Sequence, residues 1–156
     1  MNSKKALILL SVIAIVAVGL TSYYFLKPLS TIEWAERISG LRIDNSAKTL
    51  KFMNGNSVFW GGGIICGEFE IQKNQLPTLS TYVTQNDYVY ADSLGVVRKL
   101  ALVMQSSCSC NTNSGLRNHK GYFKLFISTA KESQFSAFDI NTGKLYVFKS
   151  KGSDVF

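Results

Sequence analysis

The sequence predicts an α+β fold: an N-terminal transmembrane helix, then a small domain with one antiparallel sheet of five or six strands and one or two short helices. Three observations carry this expectation. One apolar run without a charge fills residues 6–26. Several later segments of Val, Ile, Phe and Tyr alternate apolar with polar residues. Only two stretches after the run carry helix signals. With 156 residues, 46% of them hydrophobic and 12% aromatic, the chain suits one folded domain plus a tail and is not a disordered one.

The run begins "MNSKKALILLSVIAIVAVGLTSYYFLKP". As a helix, Ala6 to Leu26 measures about 31 Å, close to the hydrocarbon thickness of a bilayer. Tyr23, Tyr24 and Phe25 stand at its far end, where aromatic rings favour the interface. Lys4, Lys5 and the amino terminus outweigh Lys27, so the positive-inside rule leaves residues 1–5 in the cytoplasm. The expected organisation is a cytoplasmic tail (1–5), a single-pass signal-anchor in the cytoplasmic membrane of a bacterial cell (6–26) and an exported α+β domain (27–156). The alternative is a cleaved signal peptide, with Ala17 and Gly19 at −3 and −1 of the cleavage site and the remainder secreted. The apolar run extends past a usual signal-peptide core, which favours the anchor. No lipobox-type cysteine follows it. Either way the remainder is exported.

That remainder carries 15 Lys/Arg against 10 Asp/Glu, net +5. The excess suits an anionic partner or a lipid surface. It is too dispersed for nucleic acid, lacking any Arg/Lys run.

The elements follow in order. In "LSTIEWAERISG", Ser30 and Glu33 form a capping-box pattern, Trp34, Ile38 and Leu41 recur at helical spacing, and Gly40 can end the helix. This predicts an amphipathic helix over Thr31–Ser39, packed on the domain. "AKTLKFMNGNSVFWGGGIICGEFEIQ" predicts two strands joined at Asn54-Gly55-Asn56, with Gly61–Gly63 bending the second. In that second strand Glu68 and Glu70 are expected on the solvent face. Pro77 suits a first helical turn, so "LPTLSTYVTQ" is read as a short helix, Leu76–Gln85. "GVVRKLALVMQ", apolar on both faces, is expected as a central strand. "GYFKLFIST" alternates as another strand. "FSAFDINTGKLYVFKS" predicts a hairpin turning at Asn141-Thr142-Gly143.

Chemical motifs are few. "WGGGIICG" lacks the Gly-Lys-Ser/Thr of a phosphate loop and misses G-x-G-x-x-G at Cys66. It is read as a bent strand, with Phe59 and Trp60 beside it. There is no G-x-S-x-G or H-E-x-x-H, and His119 is the only histidine. The cysteines are Cys66, Cys108 and Cys110. In an exported chain they point first to a disulfide from Cys66 to Cys108 or Cys110, tying down the polar loop "QSSCSCNTNSGLRNHKG". Three thiolates with His119 are also the right ligand types for zinc or copper(I), but the spacing is wrong for a structural zinc site. A thiol-exchange role for Cys108 and Cys110 lacks a C-x-x-C motif.

The functional expectation is a non-enzymatic binding module of the cell envelope, with no cofactor and no metal. Its partners are the bilayer, through residues 6–26, and an envelope protein met through aromatics such as Trp60, Tyr88, Tyr90 and Tyr146. The alternative is a periplasmic thiol-redox or metal-handling protein using Cys66, Cys108, Cys110 and His119.

Overall fold

The computed structural model describes residues 3–26, 28–55, 63–91, 102, 104, 108, 121–129 and 132–152. The chain divides into two compact units, residues 1–30 and 31–156.

The first unit holds helix α1, Ser3–Leu26. Its described side chains run from Leu9 to Tyr23, and all are exposed. The apolar ones, including Leu10, Ile13, Ile15, Val18 and Leu20, lie on every side of the helix. Among the described residues, no helix is long and apolar enough to cross a membrane.

The second unit is α+β. A six-stranded, wholly antiparallel sheet has the order β1-β2-β6-β5-β4-β3. The strands are β1 (Lys48–Asn54), β2 (Gly63–Glu70), β3 (Val89–Ala91), β4 (Gly121–Ser128), β5 (Glu132–Asp139) and β6 (Lys144–Lys151). Helices α2 (Thr31–Ser39) and α3 (Leu76–Gln85) have the bounds expected from their sequence signals.

Helix α2 buries Ile32, Ala35, Ile38 and Ser39, spaced at three and four residues, so its apolar stripe faces the sheet. It stops at Gly40, whose φ of +69° only glycine adopts without strain. The chain then turns back, the Ile43 N–H donating to Glu36 Oε1 at 2.8 Å. Helix α3 begins with Pro77 in its first turn and buries Leu79 and Val83, one helical turn apart. Both helices cover one sheet face, where Ile65, Phe69, Phe138, Leu145 and Val147 complete the larger core.

The opposite face is covered too. Cys66, Phe135, Ala137, Tyr146 and Phe148 form a second core with Met104 and Cys108. Here the structure corrects two expectations. Leu102 and Met104 are helical, not part of a central strand, and Cys108 is helical and buried rather than in a surface loop. A run apolar on both faces suits a covered helix as well as a strand. Met104 and Cys108, four residues apart, share the side that meets the sheet, while Leu102 points to solvent.

The β5–β6 hairpin turns as expected. Asp139 Oδ1 accepts the backbone N–H groups of Asn141 and Thr142 at 2.9 and 3.3 Å, and Gly143 takes φ +69°. The β1–β2 connection differs from the expected tight turn. Pairing ends at Asn54↔Ile65, so the link runs through residues 55–62. Strand β3 is one the sequence pattern did not announce. It is three residues long, pairing Val89 with Phe123 and Ala91 with Gly121.

Candidate functional site

Cys66 and Cys108 are joined in a disulfide, with Cα atoms 6.2 Å apart and a sequence separation of 42. Cys66 pairs across the ladder with Phe148 and is fully buried. The bridge fastens a helical residue onto the sheet centre, next to the stacked rings of Phe135 and Phe148, whose centroids are 5.1 Å apart. It occupies two of the four side chains considered as metal or redox ligands. Cys110 and His119 lie outside the described residues, as does Trp60. Among the described residues, no three or more His, Cys, Asp or Glu side chains gather as a metal site.

On the same face, toward the β5–β6 turn, the apolar rows give way to charge. Lys48, Glu70, Lys144 and Asp139 stand directly opposite one another across β1, β2, β6 and β5, alternating in sign. One row inward, Lys51 faces Glu68, and Glu68 faces Tyr146. Lys144 Nζ reaches diagonally to Glu68 Oε1 at 2.8 Å. Glu68 is therefore not a solvent-face residue. Both sheet faces are covered, and its carboxylate is buried with a lysine partner. Glu70 is exposed, as expected. Burial, and then the nearby carboxylates of Glu68 and Asp139, hold the Tyr146 phenol above its ordinary value. Opposite charges facing one another across the ladder favour this strand register.

The aromatic residues considered as partner contacts separate clearly. Tyr146 is buried in the second core. Tyr88 is buried in the first, its hydroxyl donating to the Ser39 carbonyl at 2.7 Å and its ring edge-on to Phe126. Burial raises its pKa as well. Tyr90, by contrast, is 52% exposed on β3.

Tyr90 is not alone. Val89 is 59% and Leu125 41% exposed. Val89 lies opposite Phe123, and Leu125 follows two residues along β4, so these three share one sheet face. Tyr90 rises on the other face, edge-on against Tyr122 at 5.4 Å. Lys124 and Asp87 supply a polar rim. Lys124 Nζ donates to the Asn86 carbonyl at 2.6 Å and lies 3.8 Å from Asp87 Oδ2. Apart from Leu102, these are the exposed large apolar side chains among the described residues of the second unit. Sequence pattern did not find this cluster, because it requires knowing that β3 pairs with β4 at the sheet's end.

No known family model matches the chain, no curated protein matches it, and no solved structure does.

Proposed function

We propose that this chain is a membrane-anchored, exported binding module of the cell envelope, acting by contact rather than by catalysis. The observation that carries the binding reading is the grouping of Val89, Tyr90 and Leu125 at the β3–β4 edge. Single exposed apolar residues are ordinary, whereas a group at one sheet edge, rimmed by Lys124 and Asp87, suits a protein partner. Tyr90 is the anchor residue of that surface, since tyrosine offers a large contact area at low entropic cost.

The anchor reading rests on the uncharged run Ala6–Leu26, which is longer than the stretch of α1 with described side chains. A helix apolar on every side has no polar face to give to water and fits lipid. A buried disulfide is consistent with export.

Cross-linked complexes isolated from detergent-solubilised membranes test the contact surface. A defined partner should be captured by the native chain and lost in Val89→Asp and Tyr90→Ala. Equal capture by both variants would move the contact elsewhere, and a chain that purifies alone but turns over a small molecule would end the binding reading. Orientation is tested separately by fusing a periplasm-dependent reporter after Phe156, which should be active.

A further inference from the structure

Covalent reach limits which side of the domain can meet lipid. Only residues 27–30 separate Leu26 from Thr31, the first residue of α2. Five backbone steps extend at most about 18 Å. Thr31 Oγ1 lies 2.9 Å from Thr49 Oγ1, so the start of α2 is held against edge strand β1. Strands β1 and β3 are opposite ends of the six-stranded sheet. Five interstrand spacings put them about 24 Å apart. If α1 ends at the outer lipid boundary, the β1 side with α2 lies within reach of the headgroups and the β3 edge is its far end.

The side chains there fit that position. The inner stripe of α2 is buried on the sheet, leaving Trp34 partly exposed and Arg37 exposed. The Arg37 guanidinium sits 5.9 Å from the Trp34 ring centre. An indole with an adjacent guanidinium suits the headgroup layer, where the ring meets acyl carbon and the cation meets phosphate. Leu29 is exposed just before the helix. Lys27 lies in the connecting segment. Of the two acidic side chains of α2, exposed Glu33 has an interaction within the protein and half-buried Glu36 accepts the Ile43 N–H.

We infer that the outer face of α2, with Trp34 and Arg37, docks on a phospholipid surface rich in anionic headgroups. The inference rests on α1 being the anchor. Docking would hold the Tyr90 edge away from the bilayer, where a protein partner can approach. It narrows the membrane contact from a tether alone to a tether plus an oriented surface.

The test uses the full chain in vesicles of phosphatidylcholine and phosphatidylglycerol that include a phosphatidylcholine brominated near the headgroup end of its acyl chains. The protein has two tryptophans, so Trp60→Phe leaves Trp34 as the single reporter. Alkaline extraction of the same vesicles reports whether α1 holds. With the protein retained, Trp34 emission should shift to the blue and be quenched by the brominated lipid. Quenching should fall in Arg37→Glu and in vesicles without phosphatidylglycerol. A second reporter, Tyr90→Trp with Trp34→Phe and Trp60→Phe, should stay unquenched. A retained protein with unquenched Trp34, or with both reporters quenched alike, overturns the docking inference and leaves the anchor standing. Release at alkaline pH overturns the anchor reading and the docking with it.

Discussion

Lys144 Nζ donates to Glu68 Oε1 at 2.8 Å across a diagonal of the β2–β6 ladder, and the Glu68 side chain is only 9% exposed against 34% for Lys144. The pair is thus asymmetric. Removing the lysine strands a buried carboxylate, whereas removing the carboxylate leaves a lysine that can turn to water. Lys144→Met should destabilise the domain by roughly 2 kcal/mol, below the range for a fully buried pair because of the lysine's exposure. Glu68→Gln should cost less, and Glu68→Gln with Lys144→Met should recover part of the loss. Urea denaturation of the three variants measures this. A larger loss in Glu68→Gln than in Lys144→Met would refute the asymmetry.

The disulfide makes a prediction about both thiols and stability. In denatured, unreduced protein, alkylation should label Cys110 alone, and all three cysteines should label after reduction. Closing a loop of this length restricts the unfolded chain by about 4 kcal/mol in the chain-entropy model. Cys66→Ser or Cys108→Ser should therefore lower stability by a few kcal/mol, about as much as reduction does. Three free thiols with stoichiometric metal would instead restore the metal-handling alternative.

Alkaline pH should unfold the domain through two tyrosines. Tyr88 and Tyr146 both have pKa values raised above the ordinary 10.0, chiefly by burial. Above that pH the unfolded chain loses these protons while the folded one keeps them. Their contribution to stability is complete below pH 10 and declines as pH rises. Stability measured from pH 9 to 12 should fall less steeply in Tyr88→Phe and Tyr146→Phe than in the parent. Identical slopes in all three proteins would count against the burial.

Ser133 and Ser150 face one another across β5 and β6, are buried, and have hydroxyls without hydrogen-bond partners among the described residues. An unpaired buried hydroxyl costs about 1–3 kcal/mol. Ser133→Ala and Ser150→Ala should each be neutral or stabilising by up to about 1 kcal/mol, since the removed oxygen leaves only a small void. Thermal melts decide the matter; a clear loss of melting temperature in either variant would mean that the hydroxyl has a partner.

Local signals were legible wherever one residue dictates backbone geometry. Pro77 marks the start of α3, Gly40 the end of α2, and Gly143 the β5–β6 turn, because ring constraint or positive φ leaves few other conformations. The segment around Met104 was misread because an apolar run has no period that separates a buried helix from a buried strand. Glu68 was misread for a related reason. Alternation shows that a residue lies on the face opposite Phe69, but not whether that face is covered. Tyr88, Tyr90 and Tyr146 look alike as aromatic residues in strand-like sequence. Their separation into core and surface depends on sheet order, which places Tyr146 on an inner strand and Tyr90 on an edge.

The chain alone determined the α+β class, the bounds of α2 and α3, the β5–β6 hairpin and the reading of Cys66 as a staple toward the Cys108–Cys110 pair. Those features depend on short-range geometry and composition. Only the tertiary structure decided that Cys108 is the partner, that the sheet is covered on both faces, and that Val89 and Leu125 on one face and Tyr90 on the other flank the same sheet end. Each depends on contacts between residues distant in sequence, and such contacts are selected by packing and burial of the whole domain rather than by local preference.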